Sequence, residues 1–124
     1  LATVQLADRL GYDAIFTADH LFATGGDPHQ PFFEAWTTLA AWSQQTSSAH
    51  LGLLVGANTF RNPGVVAKMT TTLDHARRGR AVLGLGEAWE EGGRGAYGLV
   101  RMDSDAWHRG RHGDGEPSRR RVRC

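Results

Sequence analysis

The sequence predicts an α/β fold in which parallel strands alternate with crossover helices, and three observations predict it. Near-continuous apolar runs at residues 12–18, 51–56 and 81–86 recur every 30 to 40 residues. The text between them repeats its apolar residues at helical spacing rather than in alternation. Each run passes into a stretch of polar or glycine-rich residues, the composition of a loop.

The elements follow in order. Leu6, Ala7 and Leu10 define one face of a first helix that stops at Gly11, a residue type favoured just past helix ends. Tyr12 to Ala18 is so uniformly apolar that a strand covered on both faces is expected. Residues 19–31, with Gly25, Gly26, Asp27, Pro28 and Pro31, form a loop. Phe32, Trp36, Leu39, Ala40 and Ser43 mark a second helix to about Thr46, with Pro31 in its first turn, where a missing N–H is harmless. Leu51 to Gly56 is a second buried strand, and Asn58 to Asn62 a short loop. Asn62-Pro63 is a cap and first-turn proline for a helix whose face is Val66, Met69, Thr70, Leu73 and Arg77, ended by Gly79. Ala81 to Gly86 is the third strand. Right-handed parallel crossovers are the economical way to join them. Two architectures fit: an open doubly wound sheet, or part of a (β/α)8 barrel, whose complete form takes about 250 residues.

Composition narrows the function classes. The 124 residues are 40% hydrophobic and 22% charged, the balance of one globular domain. No run reaches the roughly 18 apolar residues of a membrane span, and the stretch after Leu1 is not a basic-then-apolar leader. We therefore expect a cytoplasmic protein with no membrane partner. The first residue is Leu, not Met, so a start inside a longer protein is expected. Cys124, alone at the last position, makes neither an internal disulfide nor a zinc cage, and the four His residues before the tail have no metal-ligand spacing. No metal is expected. Charge is uneven: residues 1–100 carry seven Lys/Arg against nine Asp/Glu, and residues 101–124 seven Arg against four acids. The tail has no Leu, Ile or Phe, too little apolar surface to offset ordering entropy, and is expected to be disordered. It also reads as a GC-rich gene translated out of frame. It lacks the aromatic interleaving of a nucleic-acid module, so no nucleic-acid partner is expected.

Candidate chemistry sits just past the strand ends, where loops of parallel α/β folds converge. Asp19 and His20 follow the first strand, Ala57, Asn58 and Arg61 the second, Glu87 and Trp89 the third. His20 is the sharpest, because imidazole exchanges protons near neutral pH. Asp19 either orients it or caps the loop. Gly84-Leu85-Gly86 lacks the third glycine of a dinucleotide fingerprint. Gly56 and Gly86 let either a flat cofactor or a neighbouring loop approach the backbone. Arg61 either clamps a phosphate or carboxylate, or braces the loop by pairing with Asp74 or another acid. Trp36 and Trp42 read as packing residues, and His50 and His75 as solvated.

These residues also carry a resemblance. Gly11-Tyr12-Asp13, Ala18-Asp19-His20-Leu21-Phe22 and Phe33-Glu34-Ala35-Trp36-Thr37-Thr38-Leu39-Ala40-Ala41 are similar to the bacterial luciferase-like monooxygenase superfamily. Leu51-Gly52-Leu53-Leu54-Val55, Asn58-Thr59-Phe60-Arg61-Asn62-Pro63, Ala67-Lys68-Met69, Leu73-Asp74, Gly79-Arg80, Leu83-Gly84-Leu85-Gly86 and Ala96-Tyr97-Gly98 extend it in order to about residue 99. The resemblance implies a partial (β/α)8 TIM barrel of about three βα units over residues 1–99, from helix 1 through strand 4, with residues 100–124 as a separate tail. It implies an oxidoreductase or monooxygenase using the deazaflavin coenzyme, with FMN as the alternative, on a small-molecule substrate, and a parent enzyme that is a candidate homo-oligomer. By resemblance His20 and Glu87 are catalytic, and Asp19, Gly56, Ala57, Asn58 and Gly86 bind the cofactor. Gly56 and Ala57 fall where the family often has a non-prolyl cis peptide. Glu87 replaces the small residue usual in Gly-Ala-Gly-Trp, and Gly93 stands where His or Tyr is common. A stand-alone α/β binding module and an inactive fragment are the competing readings. On this reading the amides of residues 100–124 exchange with solvent far faster than those of the Leu51 to Val55 strand; equal protection in a hydrogen-exchange experiment contradicts it.

Overall fold

The computed structural model describes residues 1–27, 29–86, 97 and 99. The tail at residues 100–124 lies outside the described residues. Helix α1 (Ala2–Arg9), strand β1 (Ala14–Thr17), helix α2 (Ala35–Ser43), strands β2 (His50–Leu53) and β3 (Gly56–Ala57), helix α3 (Pro63–Ala76), and strands β4 (Ala81–Val82) and β5 (Leu85–Gly86) follow in order. β1, β2 and β4 form a parallel sheet in that order; β3 and β5 form a second parallel pair. The fold is α/β with parallel sheets, as expected.

One face of the three-stranded sheet carries the core. Ile15, Leu51 and Ala81 stand in register and pack with Leu53 against Ala35, Trp36 and Leu39 of α2 and Val66, Met69 and Leu73 of α3. Leu39, Leu51 and Leu53 are completely enclosed, each contributing about 2 kcal/mol through its removal from water. Phe16, Gly52 and Val82 occupy the alternate positions and face the other way. Phe16 is 39% exposed, so among the described residues the first strand is covered on one face rather than both: α2 and α3 pack on the same side of the sheet.

The second and third apolar runs, each expected as one strand, are both divided. Leu54 and Val55, joined by a cis peptide bond, separate β2 from β3. Leu83 and Gly84 separate β4 from β5 at the same level, and a Cβ on Gly84 would collide with the Leu53 carbonyl oxygen. Gly56 N–H donates to the Gly84 carbonyl at 2.8 Å beside the break. The cis bond therefore lies two residues before the expected Gly56–Ala57 position, because Gly56 and Ala57 are held in regular pairing with Leu85 and Gly86.

The helices depart from expectation at their ends. α2 begins at Ala35, three residues later than Phe32, because the Glu34 carboxylate accepts the Trp36 and Thr37 N–H groups at 3.2 and 2.7 Å and caps the helix there. It ends at Ser43 rather than near Thr46. α3 matches: Asn62 caps it by accepting from Gly64 N–H at 2.9 Å, Pro63 opens it, and Val66, Leu73 and Arg77 are buried. Gly11 and Gly79, past α1 and α3, have φ of +80° and +82°, which only glycine adopts without strain. In α1 the buried residue is Val4, while Leu6 and Leu10 are 48% and 67% exposed. The helix instead turns the face that carries Asp8 toward the loop between α2 and β2.

Two charged side chains hold the loop from α2 to β2. Arg77, 3% exposed, donates to the carbonyls of Ser43, Thr46 and Ala49, closing the C-terminus of α2. Asp8 accepts the backbone N–H groups of Ser47, Ser48 and Ala49 at 2.7, 3.0 and 2.8 Å and the hydroxyls of both serines. The amides of Ala49 and then Ser47 hold its carboxyl far below the usual carboxylate range. Between its folded and unfolded values, the latter about 4, the unfolded chain binds the extra proton, so this contribution rises with pH. It is complete above the unfolded value and fades as acid approaches the folded one. Asp8→Asn is expected to lower stability at pH 7 by about 1–2 kcal/mol, and the gap to the parent narrows between pH 5 and pH 2. Urea unfolding across that range checks it; a gap independent of pH refutes it.

Candidate functional site

The carboxyl ends of β1, β3 and β5 are tied together by a line of hydrogen bonds through the expected site residues. Asp19, two residues past β1 and 4% exposed, accepts the Ala57 N–H at 2.9 Å. Ala57 pairs with Gly86, and Asn58 N–H donates to the Gly86 carbonyl at 3.1 Å. Asp19, Gly56, Ala57, Asn58 and Gly86 are thus one continuous patch. His20, half-buried, is joined to it through Asp19. Phe22, two residues on, stacks at a tilt against Tyr97 with ring centroids 5.7 Å apart. Glu87, Trp89 and Gly93 lie outside the described residues.

Arg61 takes one of the two roles left open for it. Its guanidinium grips both Asp19 oxygens, Nη1 to Oδ2 at 2.6 Å and Nη2 to Oδ1 at 3.0 Å, and Nη2 reaches Glu34 Oε1 at 2.5 Å. It braces the loop by pairing with acids, and the acids are Asp19 and Glu34; Asp74 instead accepts the Ala81 N–H at 3.1 Å. Burial disfavours the Arg61 charge, but the bonds and charge of Asp19, then Glu34, outweigh it and hold the guanidinium above its ordinary value. Partial burial likewise disfavours the Glu34 carboxylate, yet the Thr37 hydroxyl and amide, the Trp36 amide and Arg61 bring its carboxyl below the usual range. Asp19 is therefore a brace, its carboxylate shared between Arg61 and the Ala57 amide.

Sequence reasoning did not single out Glu34 or Thr59. Glu34 was hidden because glutamate is not a favoured cap residue and Pro31 marks an earlier start. Asn58 Oδ1 and Thr59 Oγ are buried and have no hydrogen-bond partner among the described residues. Two adjacent orphaned oxygens at a strand end are the kind of group that a polar ligand edge satisfies. The glycines do not supply a cradle on their own: a Cβ on Gly86 would collide with the Val55 side chain, so the break between β2 and β3 fills that space. Leu54 and Val55, in the break before β3, are 67% and 41% exposed, an apolar surface of which Val55 lies against Gly86. Together these features fit a flat ring with a polar edge.

Other features lie elsewhere. A groove of about 530 Å³ runs between α2 and α3, lined among others by Trp36, Ala40, Met69 and Leu73, and holds none of the strand-end residues. His50 and His75 are exposed, and Trp36 and Trp42 pack in or against the core. Among the described residues no group of three His, Cys, Asp or Glu side chains is placed to hold a metal ion, and no helix is long and apolar enough to cross a membrane.

The geometry is that of the α/β proteins that gather polar groups at the carboxyl ends of parallel strands. The chain belongs to the luciferase-like monooxygenase family, whose model matches residues 1–113 and so takes in residues 100–113 beyond the last recognisable motif. A Mycobacterium tuberculosis protein named as a coenzyme F420-dependent oxidoreductase is 37% identical over 95 residues, covering 77% of this chain and 24% of its own length. An F420-dependent glucose-6-phosphate dehydrogenase of Beutenbergia cavernae is 41% identical over 90 residues, covering 69% and 26%. Among solved structures, the monooxygenase RslO1 of Streptomyces bottropensis superposes with a TM-score of 0.68 at 27% identity, covering 85% of this chain and 31% of its own. The oxygenating constituent of 3,6-diketocamphane monooxygenase from Pseudomonas putida, in complex with FMN, gives 0.67 at 18% identity, covering 84% and 27%, and shows the fold alone. The chain spans about a quarter of the length of the curated relatives it matches.

Removing Arg61 leaves Asp19 buried with one amide, so Arg61→Met is expected to lower stability by about 3 kcal/mol. Combining it with Asp19→Asn removes the stranded charge, and the double variant should be at least about 1 kcal/mol more stable than the sum of the two single losses allows. Denaturant unfolding of the four proteins checks this; simple additivity contradicts the coupling.

Proposed function

We propose that this chain is the helix 1 to strand 4 portion of a (β/α)8-barrel oxidoreductase that uses the deazaflavin coenzyme F420, with FMN as the second choice. The observation that carries the reading is the strand-end patch from Asp19 through Ala57 to Gly86, with the Asn58 and Thr59 oxygens, unpartnered among the described residues, at its edge. F420 is preferred because curated relatives named for it are 37% and 41% identical to this chain. When bound, a reduced ring of this kind supplies a hydride to a small organic substrate.

The chain's own residues bind, orient and handle protons. Asn58 and Thr59 would hold the polar edge of the ring, and the exposed Leu54 and Val55 side chains its apolar body. Backbone at Gly56, Ala57 and Gly86 forms the floor, fixed by the β3–β5 pairing. His20, at the end of β1, is assigned proton transfer to or from the substrate. Glu87, directly after Gly86 in sequence, is assigned a second acid–base role. The parent enzyme is read as a cytoplasmic homo-oligomer.

A barrel gathers its ligand contacts from many strand ends, so the chain alone is expected to bind in the range of about 0.1–1 mM. Titrating the isotope-labelled chain with F420, and separately with FMN, should shift the amide resonances of His20, Ala57, Asn58 and Gly86 saturably, with F420 the tighter. Shifts confined to the α2–α3 groove, or none with either ring, overturn the proposal.

A further inference from the structure

We propose that Arg61 is a positioning residue: by gripping both oxygens of Asp19 it makes Asp19 a fixed acceptor for the Ala57 N–H, and so sets where Ala57, Asn58 and Gly86 stand beneath a bound ring. The inference rests on the reading that this patch holds the ring, and it assigns a part to a residue that does not touch the ring itself.

The bonding pattern requires a fork. Asp19 presents two oxygens, and Oδ2 serves both the Ala57 N–H at 2.9 Å and Arg61 Nη1 at 2.6 Å, while Oδ1 takes Nη2 at 3.0 Å. Two parallel bonds fix the plane of the carboxylate, which a single contact does not. The second bond of Nη2, to Glu34 Oε1, anchors the guanidinium to the capped start of α2. The pair therefore carries the position of a helix end to the end of β3. Both Nη atoms of Arg61 are occupied by acids, and its side chain is only 17% exposed. It is consequently committed to the protein rather than available as a clamp for an anionic ligand.

The loop beyond Ala57 is held at its other end as well. Phe60 N–H returns to the Ala57 carbonyl at 3.2 Å, and Asn62 caps α3. Asn58 and Thr59 are thereby suspended between two fixed points, with their side-chain oxygens left for something other than the described protein. Asp19 also fixes the backbone from which His20 projects. Loosening one carboxylate would let the acid–base residue and the polar edge drift relative to each other, and site function is sensitive to displacements of about 1 Å.

Arg61→Lys is the informative variant, because it keeps the charge but lacks the planar fork that makes two parallel bonds to Asp19. We expect Ala57 and Asn58 amide exchange to rise about tenfold, as for loss of one charge-assisted hydrogen bond, with a change in the Ala57 amide proton shift and unchanged exchange at Leu51 and Leu53. F420 titration followed by the Gly86 resonance should weaken by about tenfold. Glu34→Gln leaves the fork on Asp19 and should keep Ala57 exchange within about threefold of the parent. If Ala57 is unchanged in Arg61→Lys, or loosens only in step with Leu51 and Leu53, or loosens as much in Glu34→Gln, the proposal falls. It also falls if Ala57 loosens and F420 affinity stays the same. Absence of any ring-induced shift in the parent chain removes the cofactor reading, and the exchange measurements still decide whether Arg61 sets Ala57.

Discussion

The Asp19 carboxylate is the constraint on which the strand-end face depends. A buried charge is tolerated only when it is paired and hydrogen-bonded, and here the partners come from three places in the chain. Arg61 supplies the opposite charge, the Ala57 amide a further bond, and Glu34 the second anchor of the guanidinium. Satisfying one acid thus brings together the ends of β1 and β3 and the start of α2. Losing the Arg61 fork would leave the Asp19 charge in a low-dielectric interior with one amide, whereas Glu34, 43% exposed, is a lesser anchor.

A different pair of charges organises the opposite end of the sheet. Asp8 gathers the amides of Ser47 to Ala49, and Arg77 the carbonyls of Ser43, Thr46 and Ala49. The same short segment is therefore held through its donors by an acid and through its acceptors by a base. These groups precede β2 and stand away from the candidate residues, so their work is to seat α2 against the sheet. The core of Leu39, Leu51 and Leu53 fills the space between the two ends. Charge sets the two ends of the layer, and hydrophobic burial its thickness.

Membership of the luciferase-like monooxygenase family gives this division a functional sense. In parallel α/β folds the amino ends of strands serve stability and the carboxyl ends serve chemistry. The buried oxygens of Asn58 and Thr59, which have no partner among the described residues, lie just past the carboxyl end of β3. The groove between α2 and α3 holds none of these strand-end residues.

By itself the sequence determined the class of fold, the start of α3 and the strand-end positions at which the candidate residues stand. Asn62-Pro63 and Gly79 punctuate a helix through local bonds, and apolar periodicity shows which of its residues are buried, because both effects act within a few neighbours. The strand-end positions of Asp19, His20, Asn58 and Gly86 were legible for the same reason: they follow apolar runs. What only the tertiary structure decided depends on contacts across 27 to 42 positions. Such contacts chose Asp19 and Glu34, not Asp74, as partners of Arg61. They divided two apolar runs where the backbones of Leu53 and Gly84 meet. They also turned α1 so that Asp8, on which five donors gather, faces the segment before β2, while Leu10 is exposed among the described residues.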